Sequence, residues 1–438
     1  MPSTCLGCGC TCDDIDLRIE GGRILEARHA CPLGVSWFGD GALPARVRLG
    51  GLDAAVDEAL DALADRLMAA KRPLVYLAGD LSCEAQREGI AIADHARAML
   101  ATLTSSTAMP SILAAQEVGR AGATLGEIRN RADVVVFWGV DPAIRYPRYW
   151  SRYAPEPAGV HVPDGRRSRT VVAVDIGDAR GPEDADVRVA LAPDEEVQAL
   201  TRLRATALNL DMPRVSPLSR VVPGPDPASD DNRGRGKYAE IAGLLMSGRY
   251  VAIVADAEPD DRSQARDGGR AAALTALAQA LNATTRCALS TLRGGGNRTG
   301  ADACLTSQTG YPASVDFARG YPRYLPYEIP LALERGDADL VLVLGSTGTL
   351  PPAVREAIQR VPHAVIGPSA SVGVGGQAVV AIDTSMAGVH EAGTAIRMDD
   401  VPLPLTAVIP GPSAAVSTAR ALRDRVSVRA ARSREVVA

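Results

Sequence analysis

Five of the chain's eight cysteines fall within its first 31 residues: Cys5, Cys8, Cys10, Cys12 and Cys31. Without Cys10 the set reads C-x2-C-x3-C-x18-C. Four thiolates at such spacings can converge on one 4Fe–4S cluster or on one zinc ion. A remnant motif carrying protonated thiols is the third reading. Cys10 is an extra thiol, free or in a supporting role, and His29, two residues before Cys31, could bond to a ligand or stand in for one. Cys83, Cys287 and Cys304 are scattered and read as small buried hydrophobes. The remaining histidines, His95, His161, His363 and His390, are dispersed, and no Ser-His-Asp or paired-carboxylate arrangement follows from spacing. The run Gly294-Gly-Gly296 could cradle a phosphate. It lacks a following Lys and a clear helix start, so a tight turn is the better reading. Residues 146–153 and 319–324 are rich in Arg and aromatics. Such stretches anchor interfaces or pack internally, and spacing does not decide between the two.

These residues need elements to position them, and bulk properties set the frame. The chain has 438 residues, 46% hydrophobic, 4% aromatic and 23% charged, a soluble globular composition of two or three domains. A net charge of −5 without a basic run argues against a nucleic-acid partner. No apolar run reaches the roughly 18 residues that span a bilayer. Met1-Pro-Ser-Thr4 lacks the basic and apolar regions of a signal peptide. The expected location is cytoplasmic, where clustered cysteines favour metal over disulfides.

Residues 1–50 form a small four-cysteine module. Alternation around Gly21-Gly22 predicts a hairpin that carries Cys31 back to the first three cysteines. The spacing then predicts a helix over 53–67 with Asp53 as N-cap, a strand over 73–79 and a helix over 90–100. A turn over 102–110 and a helix from 111 follow, with strands at 131–139, 169–175 and 186–191. Residues 212–236, rich in Pro, Ser, Asp and Arg, read as a linker or surface loop. Beyond it come helices at 238–247, 271–282, 329–336 and 353–360, and strands at 250–255, 287–292, 338–345 and 363–366. This alternation predicts an α/β fold of two Rossmann-like parallel-sheet domains. The expected boundaries are 51–211, completed by 365–405, and 237–364, with a C-terminal tail over 406–438. Residues 125–139 and 331–345 echo each other as helix, Ala-Asp, strand, Gly, the mark of a pseudo-repeat. Open α/β sheets bind ligands at the carboxyl ends of their strands, so the loops after Gly139 and Gly345 are the natural ligand positions.

Several strings together carry a resemblance: the cysteine module with Cys12-Asp-Asp, and residues 110–119, 124–133, 146–153, 308–317, 319–324 and 391–399. From residue 5 to about 405 the chain resembles the B subunit of formylmethanofuran dehydrogenase, of the molybdopterin oxidoreductase superfamily. The resemblance implies a 4Fe–4S cluster on the four N-terminal cysteines. It also implies tungsten or molybdenum, held by two pterin dinucleotides and a cysteine or selenocysteine, with a His and an Arg nearby. Superfamily members further carry a C-terminal β-barrel, and this chain ends too soon after Asp399 to hold one.

The departures fall on the metal. Where the family reads Cys-His-Gly-Pro-Ser, this chain reads Thr107-Ala108-Met109-Pro110-Ser111. A threonine hydroxyl is hard to deprotonate and a poor ligand for a high-valent metal. Some superfamily members use a serine oxygen, a role for which Ser106 or Thr107 would stand here. Arg293 matches the family's arginine, but Gly295 and Gly296 replace larger neighbours. The loop Gly345-Ser-Thr-Gly-Thr-Leu-Pro351 lacks the family's carboxylate and imidazole. The loop Ile176-Gly-Asp-Ala-Arg-Gly181 lacks its Pro-Arg and Thr-rich turn. The expectation is a chain without a molybdopterin or tungstopterin and without catalytic residues. The resemblance then points to the bacterial formyltransferase/hydrolase complex of methylotrophs. There, formyl passes from formyl-tetrahydromethanopterin to a methanofuran-type carrier and leaves as formate. The implied partners are formyltransferase, amidohydrolase-type and glutamate-synthase-like subunits. An active tungsten or molybdenum dehydrogenase subunit is the alternative, and an iron–sulfur electron carrier a third. An Ala- and Arg-rich, Lys-poor composition fits a GC-rich bacterial genome.

Overall fold

The computed structural model describes residues 1–104, 108–210, 228–258, 268–325 and 329–437. At the N-terminus, β1 (Pro2–Ser3), β2 (Ile15–Glu20) and β3 (Arg23–Arg28) form an antiparallel sheet. Gly21 and Gly22 join β2 to β3 at φ of +58° and +74°, the left-handed values that a two-residue hairpin turn requires. A short helix, Pro32–Phe38, follows, with proline at its first position and Cys31 at its N-cap.

The chain then lays down β4 (Val47–Leu49), β5 (Leu52–Asp53), the helix Val56–Ala69, β6 (Pro73–Leu77), the helix Cys83–His95 and β7 (Met99–Thr102). Two details differ from expectation. Asp53 lies in β5, and Ala55 is the N-cap of the first helix. The second helix stops at His95, where Arg97 turns to φ +52°, and the apolar run from Met99 continues as a buried strand. The chain next builds a separate unit, Pro110–Leu292. It holds β8 (Val134–Trp138), β9 (Thr170–Ile176), β10 (Val187–Leu191), β11 (Tyr250–Asp256) and β12 (Arg286–Leu292). Their order is β10-β9-β8-β11-β12, all parallel. The chain returns to the first unit with β13 (Ser314–Asp316), β14 (Arg323–Tyr324), β15 (Leu340–Leu344), β16 (His363–Gly367) and β17 (Val380–Asp383). The nine-stranded sheet runs β14-β13-β7-β6-β15-β16-β17-β4-β5, parallel from β7 to β17 and antiparallel at both edges. A ribbon of β18 (Gly393–Ile396) and β19 (Pro402–Leu405) rests on Leu6 and Trp37.

The units therefore divide at residues 109–110 and 292–293, and not at the expected 211 and 237. The alternation located the strands but not their partners. Parallel strands buried on both faces read as the same apolar runs whichever sheet they join. So β6 and β7 share a sheet with β15–β17, while β8–β10 pair with β11 and β12. The expected linker lies outside the described residues up to 227, and from Ala228 onward it is part of the helix Ala228–Ser247. The expected tail contains a helix, Ala415–Val437. Its Ala415, Ala419, Leu422 and Val426 belong to one core with Ala59, Leu63, Leu67 and Ile92. Arg425 and Arg429 pair with Asp57, Asp61 and Asp65, and Arg420 and Arg423 pair with Glu88. The pseudo-repeat is present locally. Helix Leu125–Arg131 leads through β8 to Gly139 at φ +60°, and helix Ile329–Glu334 leads through β15 to Gly345 at φ +98°. Among the described residues no helix is long and apolar enough to cross a membrane.

Among the parallel strands of each sheet the chain starts centrally, runs outward, then restarts on the other side. That reversal leaves a switch point, the usual ligand crevice of such sheets, between β6 and β15 in one unit and between β8 and β11 in the other.

Candidate functional site

The cysteine segment folds back on itself. Cys5 N–H donates to the Cys12 carbonyl at 2.8 Å, and Thr11 N–H to the Cys8 carbonyl at 3.1 Å. Cys5, Cys8, Cys10 and Cys12 are buried and Cys31 is half-buried. Gly7 N–H donates to Cys5 Sγ at 3.3 Å. The first turn of the helix after Cys31 lies against the same sulfur, since a Cβ on Gly34 would stand 3.3 Å from it. Burial pushes the Cys5 thiol up, and the neighbouring thiols Cys8, Cys12 and Cys31 push it further. A thiol so placed keeps its proton unless a cation replaces it. By type, four thiols with an N–H···S bond suit an iron–sulfur cluster or zinc. Among the described residues, though, no three His, Cys, Asp or Glu side chains stand together as a metal-holding group. His29 is exposed, and its Nδ1 meets the Asp14 carbonyl at 3.2 Å.

Thr107, where the resemblance expects the metal ligand, lies outside the described residues with its neighbour Ser106. Ala108 is fully buried. Arg293, just past β12, is buried and donates from Nη2 to Asp302 Oδ2 at 2.7 Å and from Nη1 to Thr299 Oγ1 at 3.4 Å. Asp302 Oδ1 accepts from Thr104 Oγ1 at 2.6 Å, and Thr104 Oγ1 lies 2.7 Å from Thr102 Oγ1. Arg293 is thus paired with a carboxylate of this chain.

The run after Arg293 is a tight turn. Gly296 N–H donates to the Leu6 carbonyl at 2.7 Å, and Asn297 N–H to the Gly79 carbonyl at 2.6 Å. A Cβ on Gly295 would stand 2.5 Å from the Gly7 carbonyl oxygen, so backbone fills the space a phosphate would need. A helix, Arg298–Thr309, does begin next, although the sequence gives no clear start there. Asn297 is the hub that sequence reasoning missed. Its Nδ2 donates to the carbonyls of Leu81 (3.0 Å) and Thr394 (3.3 Å), and its Oδ1 accepts from Ile396 N–H (2.9 Å). A single asparagine in a loop carries no signal of such a role.

Both switch points hold buried carboxylates. Between β6 and β15, Asp80 accepts from Ser346 N–H at 2.9 and 3.1 Å. Burial lifts its pKa from 3.8 to about 6, against the Ser346 hydrogen bond. Beyond Gly345 the loop closes on itself, with Ser346 Oγ accepting from Gly348 N–H at 3.2 Å. Between β8 and β11, Glu196 Oε1 accepts from Trp138 Nε1 and from Arg270 Nε, each at 2.7 Å, while Asp256 pairs with Arg145. At the end of β9, Asp175 meets Arg188 at 2.8 Å, Arg180 at 3.2 Å and Gly181 N–H at 2.9 Å. Burial raises Asp175, but these donors outweigh it and hold the carboxyl below its usual range.

The two Arg-aromatic strings separate. Tyr146, Tyr149 and Tyr153 are buried, and Phe137 of β8 stacks on Trp150 at 5.7 Å, so the first string packs inside its own unit. In the second, Arg319, Tyr321 and Arg323 are exposed around the edge strand β14, with Tyr324 stacked on Tyr311 at 6.3 Å.

No family profile matches the chain. The chain is similar to the B subunit of tungsten-containing formylmethanofuran dehydrogenase 2 of Methanococcus maripaludis, 30% identical over 436 residues and covering 96% of each chain. The same subunit of Methanocaldococcus jannaschii is 31% identical over 426 residues, covering 93% of each. In fold, the chain is similar to a chain of the formyltransferase/hydrolase complex of Methylorubrum extorquens, solved with methylofuran. The TM-score is 0.68 at 22% identity, over 88% of this chain and 99% of that one.

Proposed function

The chain belongs to the family of the formylmethanofuran dehydrogenase B subunit, and we propose that within it this chain is a non-redox, structural subunit of a formyltransferase/hydrolase complex. The complex carries formyl from formyl-tetrahydromethanopterin to a methanofuran-type carrier and releases it as formate. Its partners are formyltransferase, amidohydrolase-type and glutamate-synthase-like chains. One observation carries the reading. Arg293 is held by Asp302 and Thr299, Asp302 in turn accepts from Thr104, and in the sequence Thr107-Ala108 stands where the resemblance expects thiolate and imidazole. The residues present do not fit a metallopterin. The loop after Gly345 bonds to Asp80, the loop after β9 bonds to Asp175, and the glycine run is closed against Gly7 and Gly79. No redox step is therefore routed through this chain. Its work is to hold a surface for chains that do the chemistry. The cysteine segment meets the Gly294–Asn297 run through the Gly296 N–H to Leu6 carbonyl bond, and any iron or zinc the thiols take is structural.

The competing reading is a tungsten or molybdenum dehydrogenase subunit, favoured by the metal in the names of both methanogen relatives. Metal analysis of the purified complex separates the two. The expected result is no tungsten or molybdenum, and no oxidation of formate with an artificial acceptor. Stoichiometric tungsten or molybdenum sinks the structural reading. Iron near roughly four per chain identifies a cluster on the cysteines, and zinc near one identifies a closed structural site.

A further inference from the structure

Two cysteines that look scattered in the sequence meet in the fold. Cys83 opens the helix Cys83–His95, directly after Ser82, whose Oγ accepts from Ala85 N–H at 3.2 Å. Cys304 lies on the helix Arg298–Thr309. Both are 3% exposed and share one apolar core. The Cys304 thiol donates to the Cys83 carbonyl oxygen at 3.6 Å, which sets its sulfur against the residue that opens the neighbouring helix. Asn297 Nδ2 donates to Cys83 Sγ at 3.4 Å.

We infer that Cys83 and Cys304 form a peroxide-sensitive thiol pair, with Cys83 as the attacking sulfur and Cys304 as the resolving one. The roles follow from the surroundings. Cys83 sits at a helix N-terminus, where a thiolate is favoured. Its pKa is held down chiefly by the hydrogen bond from Cys304, with help from Asn297 and Arg87, against burial and Glu84. The same bond, with burial, pushes Cys304 up. Cys287 is the internal control: burial alone pushes its thiol up to about 12.

The oxidant is hydrogen peroxide, small enough for a site closed to larger disulfides. The Cys83 thiolate attacks one peroxide oxygen, the O–O bond breaks, and the released hydroxide takes a proton to become water. Cys83 is then a sulfenic acid, oxidised by two electrons. Cys304 sulfur attacks the Cys83 sulfur, and the sulfenic hydroxyl leaves with the Cys304 proton as a second water. The net change is two thiols and one peroxide to one disulfide and two waters. The new bond ties the helix that follows β6 to the helix that carries Asp302, and it alters the acceptor at Asn297 Nδ2.

Peptide mapping tests this on the full chain in its native assembly. The protein is treated with graded peroxide, denatured, alkylated and digested. A linked Cys83–Cys304 peptide, reversed by dithiothreitol, is expected to form on the order of tenfold faster than Cys287 is modified. In Cys304→Ser, a dimedone probe should capture Cys83 as the sulfenic acid. Both cysteines recovered as separate alkylated peptides after Cys287 has oxidised would overturn the inference. So would Cys83 passing to sulfinic acid with no linked peptide. The wild-type map does not depend on any variant folding.

Discussion

The switch points of the two units answer one physical problem in different ways. Each must place carboxylates in a desolvated crevice at the ends of parallel strands. Unit 110–292 gives them cationic partners: Glu196 has Arg270, Asp256 has Arg145, and outside the switch point, at the end of β9, Asp175 has Arg188 and Arg180. The other unit meets Asp80 with the neutral N–H of Ser346. A charged partner in a dry site repays desolvation, and a neutral donor repays it only in part. That is why Asp175 titrates below its ordinary range while Asp80 rises to about 6. Burial thus favours the protonated carboxyl at Asp80, and the surrounding donors favour the carboxylate at Asp175.

The strongest way to break the comparison is Arg270→Ala, which leaves Glu196 buried beside Trp138 without its cation. A loss of about 4 kcal/mol is expected in urea denaturation of this unit. A change too small to move the midpoint would mean that Arg270 does not lock the crevice. Asp80→Asn sharpens the other side. The raised pKa means the folded state holds its proton more tightly than the unfolded chain. Stability from Asp80 is therefore full below pH 3.8 and is lost as pH rises through about 6. The asparagine can still accept from Ser346. The variant should lose that pH dependence and gain about 2 kcal/mol at neutral pH, read from denaturant midpoints between acid and neutral conditions. A variant with the wild-type pH profile would remove Asp80 as its source. The smallest effect is expected where pairing is exposed. Asp65→Asn, in the ladder with Arg429, should leave the midpoint unchanged within error at physiological salt. A loss as large as that of Arg270→Ala would show that charge pairing matters in this protein irrespective of burial.

Much of the architecture was legible because its causes are local. The apolar runs at Val134–Trp138 and Leu340–Leu344 specify buried strands wherever they pair. Gly21-Gly22 specifies its hairpin because only glycine turns there without strain. The Thr107-Ala108 pair is a fact of composition at one place. Those features needed no knowledge of what lies across the fold.

What the tertiary structure alone decided is every relation between residues distant in the chain. It assigned β6 and β7 to the sheet of β15–β17, and it turned an expected tail into a helix packed on Leu63 and Leu67. It set the Asp302 carboxylate on Arg293, made Asn297 a hub, and brought Cys304 to Cys83 across 221 positions. The physical reason is the range of the forces that write the pattern. Periodicity and turn chemistry act over a few residues. Burial, close backbone approach and charge pairing depend on which surfaces meet, and an apolar run or a lone asparagine says nothing of its partner.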